Sequence, residues 1–192
     1  EFAVEMAKRE GVSDLATFKN INYQDLIPTK KQYDRVVSVG LLEHVGQRNH
    51  RQYFDVVNAL LKPGGVSVLH SITQQVEGAA PPWIDKYIFP GGYIPSLREI
   101  LGLLPDYEFR LTDVENLRVH YAMTLDEWSR RFEKHIPAIT KMYDERFIRM
   151  WRLYLAGSIA SFRYGNNDLA QIVFTKGLNN DLPLTREFLY KK

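Results

Sequence analysis

RVVSVGLLEHVG, residues 35–46, decides how the chain is read. An apolar, β-branched run ends at Gly40, and three residues later the chain presents an acid and a histidine, Glu43 and His44. Unbroken apolar character over 33–40 is the pattern of a strand covered on both faces, with a glycine at its exit. Such strands belong to sheets flanked by helices, where residues just past the strand ends face the crevice in which ligands bind. One stretch therefore carries both a fold and a candidate site.

Downstream, NHRQYFDVVNALLKPGG places Tyr53, Phe54, Val57, Leu60 and Leu61 at helical spacing before a Pro-Gly-Gly stop. VSVLHSI (66–72) predicts a second buried strand. PSLREILGLL (95–104) predicts a helix beginning at Pro95, a favoured first-turn residue. YEFRLTDVENL (107–117) alternates as a strand, and TLDEWSRRFEKHI (124–136) opens with Thr-x-x-Glu, the signature of a capping box. A long helical segment follows from Pro137 to Tyr164, then a closing strand at LAQIVFTKG (169–177) and a polar tail. Upstream, EFAVEMAKREGV reads as an amphipathic helix stopped at Gly11, and LATFKNI (15–21) as a short strand. Strands alternating with helices predict one α/β domain with a mostly parallel sheet. The strandless block around 118–165, rich in Trp, Tyr and Phe, predicts a helical insertion across the carboxyl ends of the strands.

Composition narrows the function classes. The chain has 192 residues, 45% of them hydrophobic, enough for one real core. A net charge of +2 gives no electrostatic case for nucleic acid. The absence of cysteine removes disulfides, thiolate metal sites and a cysteine nucleophile, and fits a cytoplasmic setting. No metal site is expected. No apolar run approaches the roughly 18 residues of a membrane span. The opening helix lacks an N-terminal cap and an initiator Met, so the chain is expected to be cut from something longer.

Three groups of polar residues fall at or past predicted strand ends: Glu43 after 35–40, His70 and Ile72 at the end of 66–72, and Tyr23 and Gln24 after 15–21. Each has a plain structural reading as well. Glu43 suits the first turn of a helix, where a carboxylate complements the dipole. His70 suits a hydrogen-bonded core position, His44 a structural neighbour, and Tyr121 an aromatic packed at a helix entry. The aromatic run Trp83, Tyr87 and Phe89 suits an amphipathic turn.

Taken together, YDRVVSVGLLEHVG, LKPGGVSVLHSI, WIDKYIFPGGYIPSLREI, VHYAMTLDEWSRRF and YDERFIRMWRLYLAGSIASFR resemble, in order and spacing, the catalytic domain of cyclopropane-fatty-acyl-phospholipid synthases. Mycolic acid cyclopropane synthases belong to the same family. EHVG and LKPGG are shared widely among class I methyltransferases, whereas IDKYIFPGG and HYAMTLDEW are particular to this family. The resemblance implies the Rossmann-like sheet of class I S-adenosylmethionine (SAM)-dependent methyltransferases. It further implies SAM as methylene donor, the cis double bond of an unsaturated phospholipid acyl chain as acceptor, and bound bicarbonate as base. Carried over by motif, it assigns the bicarbonate to Glu43, His70, the Ile72 backbone and Tyr121, with Glu43, His70 and Tyr121 catalytic. It places Tyr23 and Gln24 beside the SAM adenine.

The chemistry asks for such a set. An alkene is a weak nucleophile and must meet the sulfonium methyl in line, a positioning effect that supplies up to roughly 7–11 kcal/mol in well-oriented systems. The cation left on the acyl chain must be shielded from water, and aromatic faces contribute about 0.5–2 kcal/mol each. A base must then take a proton from the new methyl. A carboxylate beside a bound anion must carry or share a proton.

Two features depart from the family pattern. Its Gly-rich turn for the methionine end of SAM, and the strands before it, are missing, so residues 1–192 are read as a partial catalytic domain. Alone, this fragment is expected to be inactive, to bind SAM weakly, and to form a homo-oligomer through its exposed sheet edge. Second, Ser158 stands where many members carry cysteine. Ser158 reads as a core or pocket residue. Membrane contact is expected to be peripheral, through Arg146, Arg149 and Arg152 alternating with Phe147, Ile148, Met150, Trp151 and Leu155. Two other readings stay open: a SAM methyltransferase acting on another small molecule or lipid without ring closure, and a non-catalytic SAM-domain remnant that binds lipid or protein.

Overall fold

A computed structural model describes residues 1–190. Four strands form one sheet in the order β1-β2-β4-β3, with β1 Tyr33–Val39, β2 Leu61–Gln74, β3 Phe109–Asn116 and β4 Asn167–Lys176. β1 and β2 pair in parallel, joined by helix α2 (His50–Leu60), after the N-terminal helix α1 (Phe2–Arg9). β4 pairs antiparallel with both β2 and β3. β1, β2 and β3 therefore run one way and β4 is wedged between the last two. The expected mostly parallel sheet holds for strand direction, but only one of its pairs is hydrogen-bonded in parallel.

The helix α2 and the helix α4 (Leu97–Leu103), which follows the short α3 (Pro82–Tyr87), cover one face of the sheet. Between them lies a core of Phe54, Val57, Leu61, Leu69, Ile100, Leu104, Phe109, Ile172 and Phe174. Leu69 in β2 faces Ile172 in β4, so alternate residues of both strands feed this core. Phe54 and Phe174 are completely buried, each contributing about 1.5–3 kcal/mol by removal from water.

The strandless block is three helices: α5 (Arg118–Lys134), the single-turn α6 (Ile136–Ile139) and α7 (Glu145–Tyr164). α5 and α7 pack on each other around Ala122, Leu125, Leu155 and Phe162, and Leu169 at the start of β4 joins this second core to the sheet. Ile72, near the end of β2, packs against it, which sets the helices over that end of the sheet.

Four local expectations are corrected. β1, expected to be covered on both faces, is mostly exposed, because no described strand pairs with its outer edge. Residues 15–21 are not a strand. No described strand lies beside them to complete a ladder, and Leu15, Phe18 and Ile21 are exposed. The capping box at Thr124 does not start a helix either. α5 begins at Arg118, whose N–H donates to Asn116 Oδ1 (2.8 Å). Thr124 Oγ1 instead donates back to the His120 carbonyl (3.1 Å), and Glu127 turns to Arg130 and Arg131. α4 starts two residues later than Pro95, from a true capping box on Ser96.

Candidate active site

The site starts where β1 stops. Gly40 N–H still donates to the His70 carbonyl (2.9 Å), after which the chain leaves the ladder through a short 3-10 turn, Leu42–His44. β2 runs on, and its next N–H on that side, Ile72, has no strand beside it. The Glu43 carboxylate supplies the acceptor: Ile72 N–H donates to Glu43 Oε1 at 2.7 Å. Glu43 is 9% exposed, and its other oxygen, Oε2, is buried without a hydrogen-bond partner. A strand tip thus fixes the carboxylate by one oxygen and leaves the other for chemistry or a ligand.

The loop carrying Pro90-Gly91-Gly92 closes over this turn. Tyr93 N–H donates to the Glu43 carbonyl (2.9 Å), and a side chain at Gly92 would meet the Phe89 carbonyl at 3.1 Å and the Glu43 carbonyl at 3.4 Å. Only glycine lets the two backbones approach this closely. Tyr93 is anchored in turn by its hydroxyl donating to Glu99 Oε1 (2.8 Å), and burial, with Glu99 beside it, pushes the phenol up to about 12.

His70 lies opposite Gln171 in the β2–β4 register, and the Gln171 amide faces His70 Nδ1 at 3.1 Å. With the amide nitrogen donating, the neutral imidazole keeps its proton on Nε2. Tyr121 stands one turn into α5, edge-on to Phe162 with ring centroids 4.8 Å apart. Burial, then Tyr154 and Glu43, hold its phenol above the ordinary value, so it remains a hydrogen-bond donor.

Glu43, His70, Ile72 and Tyr121 all line one hollow of about 260 Å³, with Gly40, His44, Phe89, Tyr93 and Tyr154. Through Ile72, Phe89, Tyr121 and Tyr154 it adjoins a larger hollow of about 460 Å³, walled by Trp83, Leu125, Gly157, Ser158 and Phe162 among others. Ser158 is therefore a pocket residue. Among the described residues no group of three or more His, Asp or Glu is arranged to hold a metal.

Other sequence-derived candidates fall elsewhere. Tyr23 and Gln24 line neither hollow: Tyr23 packs on Tyr53 (6.2 Å between ring centroids) and Gln24 Nε2 donates to Gln52 Oε1 (2.9 Å). Tyr23 and Gln24 also do not follow a strand end as expected, because residues 15–21 are not a strand. The Ile72 backbone, expected to serve bicarbonate, borders the hollow, and its N–H donates to Glu43. On α7, Arg152 is clamped to Glu133 by two hydrogen bonds, while Ile148 and Leu155 are core. No helix among the described residues is long and apolar enough to cross a membrane. Tyr154, one of the aromatics of the 121–154 segment expected to line the site, borders both hollows, whereas Gln171 is not foreseen from the sequence. Gln171 has no local signal at all, since its role depends on strand register.

The mycolic acid cyclopropane synthetase profile matches residues 1–172. The chain belongs to this family. Its relatives include the cyclopropane-fatty-acyl-phospholipid synthase of Escherichia coli (strain K12), 41% identical over 166 residues, covering 86% of this chain and 42% of that protein. The tuberculostearic acid methyltransferase of Mycobacterium tuberculosis is also 41% identical, over 147 residues, covering 73% and 34% respectively. A mycolic acid cyclopropane synthase solved with SAH and CTAB superposes with a TM-score of 0.70 at 30% identity, covering 76% of this chain and 56% of that one. The chain spans less than half the length of these two curated relatives. Family membership and superposition agree with the sheet described above: it is the sheet of SAM-dependent methyltransferases.

Proposed function

We propose that this chain supplies the reaction wall of an enzyme that transfers a methylene group from SAM to the cis double bond of an unsaturated phospholipid acyl chain, forming a cyclopropane ring. One observation carries the reading: a carboxylate, an imidazole and a phenol from three separate elements share a small hollow that adjoins a larger apolar one. An apolar chain has room in the larger hollow, and reactive polar groups wait at its end.

The residues fit the implied groups. Gly40 lines the hollow at the β1 tip, and a side chain there would meet nothing within 4 Å, which leaves room for the reactive end of a cofactor. Tyr23 and Gln24 line neither hollow, and their role beside the adenine rests on the family resemblance alone. SAM, when bound, supplies an electrophilic methyl group. The partnerless Glu43 Oε2, the His70 imidazole and the Tyr121 phenol suit a small oxyanion, and bicarbonate supplies a base there. Glu43 would share a proton with that anion rather than oppose it as a second full charge. Tyr121 would donate its O–H, and His70 would donate from Nε2, oriented by Gln171. Phe89, Tyr93, Tyr121 and Tyr154 present ring faces or edges to the hollow, excluding water and stabilising positive charge on the acyl chain. The proton lost from the new methyl leaves toward the Glu43–His70–Tyr121 cluster as the ring closes.

A substrate drawn from a bilayer implies peripheral membrane contact, and the exposed Arg146 together with Met142 and Leu153 on or beside α7 is suited to it. The likeness to a tuberculostearic acid methyltransferase keeps one second reading, alkylation of the same double bond without ring closure. Lipid extracts from cells expressing the full-length gene separate the two. Cyclopropane proton resonances on unsaturated-chain products support ring formation; branched chains without them support the second reading, and unaltered lipids overturn both.

A further inference from the structure

α7 carries a glycine, Gly157, well inside its span. Glycine is the least favourable ordinary residue at such a position, because its backbone loses the most freedom on becoming helical. Two needs usually account for it, a positive φ or a neighbour too close for a side chain. Neither applies here. Its φ is not positive, and a Cβ at Gly157 would meet nothing within 4 Å. Gly165, just past the helix, shows the contrast: a Cβ there would strike the Ser161 backbone at 3.0 Å.

What Gly157 does border is the larger hollow, with Leu153 and Tyr154 one turn before it and Ser161 one turn after. A helical side chain leans toward the preceding turn. Gly157 is itself exposed at the rim of that hollow, and a side chain there would lean toward the turn of Leu153 and Tyr154, the latter one of several residues shared by the two hollows.

We propose that Gly157 is a specificity-determining position: its missing side chain keeps the larger hollow open beside Tyr154 for the arm of an acyl chain that extends away from the reacting double bond. The proposal rests on the acyl-chain reading of the site. Gly102 in α4 is an internal control, for it too has open space around it but borders neither hollow.

The test uses the full-length protein and the variants Gly157→Ala, Gly157→Leu and Gly102→Ala. Binding of oleate and of octanoate is measured by calorimetry, together with thermal melting and conversion of oleoyl phospholipid. Gly157→Leu is expected to weaken oleate at least tenfold (about 1.4 kcal/mol) relative to octanoate, with Gly157→Ala between it and wild type. Gly102→Ala keeps the wild-type ratio. An unchanged oleate-to-octanoate ratio in folded Gly157→Leu overturns the proposal. If that variant does not fold, an unchanged ratio in Gly157→Ala and Gly157→Ser does so. Selective loss of oleate by a protein that forms no lipid product sinks the ring-forming reaction and leaves the role of Gly157 standing; normal product with an unchanged ratio sinks only the latter.

Discussion

Glu43 has a structural task and a free oxygen, and the two can be separated by substitution. Oε1 accepts from Ile72 N–H on the β1 side of β2, beyond the end of β1, while Oε2 has no partner. A glutamine keeps an acceptor for the Ile72 N–H but cannot share a proton with a bound anion. Glu43→Gln is therefore expected to leave chemical denaturation within about 1 kcal/mol of wild type. In the full-length enzyme it should cut product formation at least ~100-fold, the scale of a lost proton-transfer group. Glu43→Ala orphans the buried N–H as well and should cost about 1–3 kcal/mol in the same denaturation assay. His50 offers a pH test. It is buried, its Nε2 has no partner, and burial holds its pKa below the ordinary 6.5, with Glu99 opposing in part. The unfolded chain takes up this proton first, so stability is full above pH 6.5 and falls as pH drops below it. Melting curves between pH 7 and 5 should show that decline, and His50→Phe should flatten it. Glu43, His70 and Tyr121 were legible as candidates because several motifs, weak singly, occur together in order and spacing; Gln171 was not, because a glutamine in a strand carries no local mark of what it faces.

Helix starts show how a local signal can be right in chemistry and wrong in place. Ser96-x-x-Glu99 and Thr124-x-x-Glu127 are the same pattern. At Ser96 both halves form: its Oγ accepts from Glu99 N–H (3.0 Å) and Glu99 Oε2 accepts from Ser96 N–H (2.7 Å). At Thr124 neither forms, since Asn116 and the packing of Ala122 and Leu125 extend α5 a turn and a half earlier. Ser96→Ala should lower stability by about 0.5–2 kcal/mol, whereas Thr124→Ala should be neutral or slightly stabilising. Urea titrations of the two variants side by side check this. The early start of α5 matters for the site, because it turns Tyr121 from a residue before a helix into one held on its first turns. The strands β1 and β2 were readable from β-branched apolar runs, and β3 from alternation. Residues 15–21 have a similar pattern without a neighbour to pair with, and alternation alone does not make a ladder.

Across the molecule, β1 is the exposed flank. It has a single neighbour among the described residues, and Val37 and Val39 are 66% and 67% exposed. An unpaired apolar edge is a template for association. Residues 1–192 are expected to self-associate with rising concentration in light scattering, and Val37→Lys should shift them toward monomer; a concentration-independent monomer for the parent chain contradicts this. The opposite edge strand, β3, also has a single neighbour among the described residues, but its first residue, Phe109, is buried against Phe54 and Phe174, with Phe109 and Phe174 ring centroids 4.8 Å apart.

Patterning within short windows was enough to announce strands, helices between them and an acid at a strand tip, but it overstated the cover of β1, read as buried on both faces and found mostly exposed. It could not announce that β4 enters between β2 and β3, that Gln171 thereby meets His70, or that α5 and α7 fold back to bring Tyr121 and Tyr154 over Glu43. Those meetings join residues far apart in the chain, and they depend on register and packing between elements, which local periodicity does not encode.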